Sequence, residues 1–379
     1  MAEWTIAAVL KTVKLKGFEG SNPPPSAKRT VKVKTKKILI LGANGFIGST
    51  LCAHLLAKTE HEVYGVDLGT HKLTPCLKHP RFHFQELDLM IHNEAIEYLV
   101  RKCDIVLPLV AIAVPNIYVT KPLSVFELDF EANLKVIRWC VKYKKRVLFP
   151  STSEVYGMAT DEEFEENTTH FVLGPIEKQR WIYSCCKQLM DRIIYAYGFE
   201  QGLDYTLFRP FNFIGAKLDD IRNNSGSRVL TQFLHNVFAK KPIELVDGGQ
   251  QTRCFIYIDD AIDCLIRIIE NENNCATRGI FNIGNPNENY SIAQLAQFVV
   301  EVFEEFDPAL AKTITIKTVS ANDYYGSSGY QDVSRRVPSI TAAQNKLHWQ
   351  PHTTLKQSIR HILDYHLNGK DPDAELLKK

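Results

Sequence analysis

The chain has no apolar run approaching the roughly 20 residues that a membrane-spanning helix needs, so it is not expected to cross a bilayer. It also has no Cys-x-x-Cys pair, no His-Glu-x-x-His and no Cys/His quartet, so no metal is expected. Its nine cysteines are odd in number and dispersed, with Cys185 and Cys186 adjacent in a predicted helix; reduced thiols in a cytoplasmic protein are the economical reading. There are no internal repeats. An overall excess of one charge is missing too: 45 Lys and Arg stand against 43 Asp and Glu, a net +2. That balance hides an asymmetry, because residues 1–36 carry eight basic residues and two acids, leaving the remainder at −4. The folded body therefore has no electrostatic claim on nucleic acid or membrane. Residues 1–36, with Pro23-Pro24-Pro25 and alternate Lys32, Lys34 and Lys36, read as a basic flexible tail or linker. Met1 to Leu10 lacks a basic stretch ahead of an apolar core, so a secretory signal is not expected.

What the chain does have begins at Lys37. Apolar strands are predicted at 37–41, 62–66, 82–86, 105–109, 146–150 and 205–208. Helices fall between them, at 46–58, 91–102, 122–143 and 181–201. Strands that are apolar throughout, alternating with helices, imply an α/β protein with a doubly wound parallel sheet of Rossmann type. After Pro210 the rhythm loosens, with a Gly/Asn/Ser-rich loop at 223–227 and a helix near 229–239. The expected division is thus a tail (1–36), a dinucleotide-binding domain (37–210), and a smaller substrate-binding lobe (211–379) partly interleaved with the sheet.

The first strand runs Ile38-Leu39-Ile40-Leu41 into Gly42-Ala43-Asn44-Gly45-Phe46-Ile47-Gly48. Three glycines in G-x-x-G-x-x-G spacing between a strand and a helix allow a tight turn and close approach to a pyrophosphate at the helix N-terminus. Gly42, Asn44, Gly45, Phe46, Ile47 and Gly48 are accordingly cofactor-binding candidates. Asp67 ends the next strand, about 20 residues on, where an acid accepts from both ribose hydroxyls and repels a 2′-phosphate; this favours NAD over NADP. Asp88 is a candidate on the adenine side, with capping or turn formation as the alternative.

Tyr183 and Lys187 stand four apart, on one helix face, where an ammonium helps a phenol exchange a proton with a sugar hydroxyl. Both are also cofactor-binding candidates. Upstream, Ser151-Thr152-Ser153-Glu154-Val155-Tyr156-Gly157 follows a strand. These small hydroxyls either terminate the strand or share the proton relay, and Glu154 adds a carboxylate that a simple dehydrogenase does not need.

These motifs bring the chain close to a known family. It resembles the extended short-chain dehydrogenase/reductases that act on nucleotide sugars. Within them it is most similar to the NAD-dependent UDP-glucuronic acid decarboxylases, both the ArnA-type domain and the stand-alone UDP-4-keto-pentose/UDP-xylose synthases. The resemblance spans about residues 37–370. It rests on the runs at 39–42 and 103–113, Phe126-Glu127-Leu128-Asp129-Phe130, the stretch from Phe149 to Met158, Arg180-Trp181-Ile182-Tyr183-Ser184, Phe208-Arg209-Pro210-Phe211-Asn212 and Gly329-Tyr330-Gln331-Asp332-Val333. It implies dehydrogenase roles for Tyr183, Lys187 and Ser153, decarboxylation roles for Glu154 and Arg336, and UDP contacts from Asn212, Arg228, Arg253 and Tyr330. Glu244 departs from the pattern, standing where relatives usually carry lysine. Val114 and Ser153 occupy the places of the cysteines that mark plant apiose synthases, which disfavours ring contraction.

The expected function is NAD-dependent oxidation at C4 and decarboxylation of UDP-glucuronate to UDP-4-keto-pentose, with partial reduction to UDP-xylose as a further outcome. A nucleotide-sugar 4,6-dehydratase or 4-epimerase is the enzymatic alternative, and a non-catalytic NAD-binding regulator or scaffold the alternative of another class. The resemblance also implies a homodimer paired through the helices 122–143 and 181–201. Ile137, Cys140, Val141, Ile193, Ile194 and Tyr197 offer a contact stripe, unless they only cover the sheet.

Overall fold

Alternate side chains of the first strand enter two different cores, and the whole architecture follows from that. Ile38 and Ile40 of β1 (Lys37–Leu41) join one buried cluster, while Leu39 and Leu41 join another. A strand buried on both faces, with a side-chain period of two, requires a layer of helices on each side. The computed structural model describes residues 35–222, 228–325 and 333–378. The tail to residue 34, the loop at 223–227 and Tyr330 lie outside them.

The elements that follow are α1 (Phe46–Lys58), β2 (Glu62–Asp67), β3 (Phe82–Glu86), α2 (Asn93–Lys102), β4 (Ile105–Pro108), α3 (Pro115–Thr120), α4 (Pro122–Phe126), α5 (Asn133–Lys142), β5 (Arg146–Pro150), α6 (Trp181–Gln201), β6 (Tyr205–Pro210) and β7 (Phe213–Ile214). Next come α7 (Val229–Phe238), β8 (Ile243–Val246), β9 (Thr252–Cys254), β10 (Ile256–Tyr257), α8 (Ile258–Glu270), β11 (Gly279–Ile283), β12 (Asn289–Ser291), α9 (Ile292–Phe306), α10 (Pro308–Ala311) and β13 (Ile316–Val319). Short helices α11 (Ala321–Tyr325) and α12 (Thr341–Leu347), then α13 (Leu355–Asn368) and α14 (Pro372–Leu376), complete the chain.

Seven strands form one parallel sheet in the order β11-β6-β5-β4-β1-β2-β3. The Rossmann-like α/β class read from the sequence is the observed one. Leu51, Leu55, Ala261 and Leu265 of α1 and α8 cover one face. Ile96, Val136, Ile137, Met190 and Ile194 of α2, α5 and α6 cover the other. The strand order reverses between β1 and β4, which opens a crevice above their carboxyl ends. A separate core built from α7, α9 and α13 (Phe233, Val299 and Ile359 among its members) lies within residues 214–363.

Two expectations are corrected. The single helix predicted over 122–143 is interrupted by a π-helical stretch, Glu127–Ala132, between α4 and α5. The wider turn is held by Asn133, whose Nδ2 donates to the carbonyls of Val110 and Leu128 at 3.1 and 2.9 Å. The proposed contact stripe is also not one surface. Ile137, Cys140 and Ile194 are fully buried against the sheet, and the exposed apolar side chains nearby are Leu123, Leu189, Tyr195 and Phe199. Covering the sheet and pairing with a partner demand the same periodicity, so sequence could not separate them.

Candidate active site

The loop after β1 is shaped by its glycines. Gly42 adopts φ +89°, and a Cβ there would lie 3.0 Å from the Val110 nitrogen. A Cβ on Gly48 would lie 2.2 Å from the Gly42 carbonyl oxygen, so α1 reaches the strand only because both positions lack side chains. Among the described residues no side-chain cap bonds the N-terminus of α1 at Gly45, leaving its first N–H groups and positive dipole end to an anionic ligand. Asp67, at the end of β2, is held by two backbone donors: Asn44 N–H to Oδ2 at 2.8 Å and Leu68 N–H to Oδ1 at 2.7 Å. Asn44 is buried; its Oδ1 accepts from Lys72 N–H at 2.8 Å, and Nδ2 meets His71 Nδ1 at 2.9 Å. An uncapped helix end, a cradle that a Cβ would fill and a fixed acid beside it fit a dinucleotide. Asp88 stands after β3, half-buried, with Oδ1 accepting from Met90 N–H at 2.8 Å, a turn-forming contact.

A cleft of about 900 Å3 opens from this crevice, lined by Phe46, Ile47, Ser153, Glu154, Tyr183, Lys187, Asn212, Arg228, Arg253 and Arg336 among others. Tyr183 and Lys187 share the inner face of α6, both buried. Lys187 Nζ donates to the Pro150 carbonyl at 2.9 Å and sits 4.8 Å from the centre of the Phe149 ring. Burial lowers its pKa, against the pull of Asp129 and Asp191. The Tyr183 ring stacks on Tyr118 of α3, centroids 4.6 Å apart and planes within 5°. Burial pushes the Tyr183 phenol up, Asp129 pushes it further, and a hydrogen bond with the Thr152 side chain pulls it down.

Thr152 and Ser153 both line the cleft with Tyr183. Thr152 is still extended (φ −163°, ψ 154°), whereas Ser153 already opens a 3-10 turn, Ser153–Tyr156. Ser153 itself is buried and lines the same cleft.

Glu154 is gripped by two arginines. Its Oε1 accepts from Arg336 Nη1 and its Oε2 from Arg180 Nη2, each at 2.5 Å. Arg180 and Arg336 are 3% and 4% exposed, so this is a buried charge cluster rather than a surface pair. Burial alone would raise the Glu154 carboxyl, but the guanidiniums of Arg336 and Arg180 outweigh it and hold the pKa at about 2. Arg180 was missed as a site residue in the sequence, although it opens the Arg180-Trp181 stretch; its guanidinium also lies 4.6 Å from the Trp181 ring centre.

Backbone links fix this cluster across distant segments. Phe164 N–H donates to the Val337 carbonyl at 2.7 Å, and Ser339 N–H to the Phe164 carbonyl at 3.0 Å. Asn282, at the end of β11, donates from Nδ2 to the Phe164 and Ser339 carbonyls (2.7 and 3.2 Å) and accepts from Tyr156 Oη at 2.8 Å. It thereby joins the turn carrying Glu154 to the segment carrying Arg336.

At the other end of the cleft, Arg228 pairs with Asp219 at 2.7 Å and donates to the Ala113 carbonyl at 3.2 Å. Asn212 takes a left-handed φ of +40° and donates from Nδ2 to the Cys254 carbonyl at 2.9 Å. Arg253 lies on β9 and Glu244 on β8, both on the cleft wall. Glu244 pairs with Lys317, its register partner on β13, at 2.9 Å, so the acid at this position is answered by a neighbouring strand. The cleft thus brings together Phe46, Ile47, Ser153, Glu154, Tyr183, Lys187, Asn212, Arg228, Arg253 and Arg336, while Gly42, Asn44, Gly45, Gly48, Asp67 and Asp88 stand outside its lining.

Residues 38–284 match the NAD dependent epimerase/dehydratase family. Among solved structures, the PbgP3 protein of Burkholderia pseudomallei is 48% identical, covering 91% of this chain and 99% of that one, with a TM-score of 0.81. The UDP-glucuronic acid 4-epimerase of Bacillus cereus, in complex with UDP-glucuronic acid and NAD, is 23% identical with a TM-score of 0.73. That match covers 88% of this chain and all of the epimerase. The dTDP-glucose 4,6-dehydratase of Bacillus anthracis, in complex with NAD, is 16% identical with a TM-score of 0.71, covering 90% and 100%. Likeness to the last two is a likeness of fold.

Proposed function

This chain belongs to the NAD dependent epimerase/dehydratase family, and on that premise we propose that it oxidises UDP-glucuronate at C4 and releases C6 as CO2. The observation that carries the reading is the Arg180–Glu154–Arg336 cluster in the same cleft as Tyr183 and Lys187. Guanidiniums beside the proton-transfer pair suit a sugar acid, whose carboxylate they can bind. Support also comes from the UDP-glucuronic acid and NAD held by a neighbour of the same fold.

Gly42, Gly45, Gly48, the N-terminus of α1 and Asp67 would hold the dinucleotide, with Tyr183 and Lys187 at its reactive end. NAD, when bound, supplies the acceptor for the hydride of C4. Tyr183 Oη takes the proton of the C4 hydroxyl, steadied by Thr152 and by the Lys187 ammonium. The ketone so formed lies β to the C6 carboxylate. Breaking C5–C6 then sends the electron pair towards the C4 oxygen, where Tyr183 donates, and C5 takes a proton from water as the ketone re-forms. Arg336 orients the departing carboxylate. Glu154, ionised at neutral pH, is no proton donor there; it holds both guanidiniums in place and is competent to accept.

Asn212, Arg228 and Arg253 are proposed to hold the UDP group, together with Tyr330. We take UDP-4-keto-pentose as the principal product, with reduction to UDP-xylose depending on how long the ketone stays bound. Incubation with NAD+ and UDP-glucuronate, with the product identified by mass and NMR, tests the reading. A 4-epimer or a dehydrated sugar with its carboxylate intact would replace it by the family's other chemistries.

A further inference from the structure

Lys187 is only 1% exposed, and an ammonium so enclosed requires a negative charge close by. Two carboxylates bear on it through space, Asp129 and Asp191, neither close enough to Lys187 for an ion pair. Asp191 is already engaged. Its Oδ2 accepts from Ser151 Oγ at 2.7 Å and pairs with Arg209 Nη2 at 3.3 Å.

Asp129 is engaged with no cation of its own. It is fully buried; Oδ1 accepts from Ile112 N–H at 2.7 Å, and Oδ2 has no hydrogen-bond partner among the described residues. It sits in the π-helical stretch Glu127–Ala132, a geometry that is rare in helices and frequent at functional sites. That stretch packs on α6, the helix that carries Tyr183 and Lys187. The titratable groups facing Asp129 are Lys187, Tyr183 and Cys186 from α6 and Tyr118 from α3. Burial pushes its carboxyl up to about 6 while Lys187 pulls the other way.

We propose that Asp129 is the counter-ion of Lys187, and through it a positioning residue for proton transfer at Tyr183. The inference rests on the reading of Tyr183 and Lys187 as the proton-transfer pair. Its physical consequence is a coupled one. A carboxylate favours the charged form of the lysine and disfavours the charged form of the phenol, so it raises both pKa values together. The phenolate it tolerates is therefore scarcer but more basic, and the ammonium beside it survives burial. Asp129→Asn keeps the shape and the Oδ1 acceptor for Ile112 while deleting the charge.

Single-turnover NADH formation from NAD+ and UDP-glucuronate, followed against pH, tests this. In Asp129→Asn both limbs of the bell should move to lower pH, by about one unit or more. Asp129→Glu, which restores the charge, should bring them back towards the wild-type position. Tyrosinate absorbance of the free protein, with Tyr183→Phe as the blank, should show the phenol titrating earlier in Asp129→Asn than in the wild type. A bell that only loses height, with its limbs and the tyrosinate titration unmoved, would overturn the proposal. Should Asp129→Asn not fold, nitrogen NMR of the Lys187 side chain in the wild-type free protein decides. A charged ammonium well above neutral pH supports the counter-ion, and a neutral amine at neutral pH overturns it. Absence of NADH in the wild type would instead defeat the reading of the pair, and the free-protein titrations would still answer for Asp129.

Discussion

Glu154 and Arg336 meet at 2.5 Å across 182 residues of chain, inside the cleft that holds Tyr183. Neither is useful alone. The carboxylate fixes the guanidinium at the floor of the site, and the guanidinium keeps the carboxylate ionised.

From that pair comes a split between two chemical steps. Arg336→Ala should leave NADH formation within a few-fold of wild type but slow release of CO2 by about 10²-fold or more, the usual effect of removing one preorganised cationic donor. Single-turnover traces of NADH and of labelled CO2 measure the two separately. Equal slowing of both would remove Arg336 from the decarboxylation step.

The same pair makes a statement about stability. The folded-state pKa of Glu154 is depressed, so its contribution is complete above the ordinary carboxylate range and is lost as pH falls from about 4.5 towards about 2. The difference corresponds to something on the order of 3 kcal/mol, for a carboxylate that is largely buried. Denaturant unfolding of wild type and Glu154→Gln should therefore differ most near neutral pH and converge as the solution is acidified. A constant gap across that window would show that the pair is not what holds the carboxyl down.

For the hydride step, Thr152 and Ser153 should not be equivalent. Thr152→Val removes the hydroxyl that lowers the Tyr183 pKa and should cost roughly tenfold or more, the worth of one hydrogen bond to a developing phenolate. Ser153→Ala should cost less in the same step. NADH formation rates of the two variants decide the order, and Tyr183→Phe should lie below both, by about 10²–10⁴-fold.

Much of this site could be read before any coordinates. The glycine spacing after Leu41 and the four-residue step from Tyr183 to Lys187 are local patterns, and local patterns are what a linear sequence carries. Arg336 entered through resemblance alone, because nothing near it in the chain announces that it meets Glu154. β11 was missed because Gly279–Ile283 follows the point where the strand–helix rhythm loosens and lies far along the chain from the strand it pairs with, β6. Arg180 and Asp129 stood inside recognised motifs, but their importance lies in burial, which sequence does not display.

Asp67 should set the cofactor preference. Both of its oxygens are fixed by backbone donors, so the carboxylate cannot turn away from a 2′-phosphate. Asp67→Ser should narrow the preference for NAD+ over NADP+ by at least about tenfold, the equivalent of about 1.4 kcal/mol of repulsion relieved. Ratios of kcat/KM for the two cofactors measure it, and an unchanged ratio would assign selection to other residues.

The proposed homodimer would use the exposed face carrying Leu123, Leu189 and Phe199, which are 71%, 47% and 83% exposed. Charged substitutions at Leu189 and Phe199 should shift sedimentation towards the 43 kDa monomer without changing the fold by circular dichroism. Sedimentation of the wild type as that monomer at micromolar concentration would rule out this pairing.

The most direct measurement uses UDP-glucuronate labelled at C6, incubated with the full chain and NAD+. The expected result is labelled CO2 in step with substrate consumed, with NADH formed in equal amount and UDP-4-keto-pentose as the recovered nucleotide. Label retained in the nucleotide sugar, whether as a 4-epimer, a dehydrated acid or untouched substrate, would contradict the decarboxylase reading.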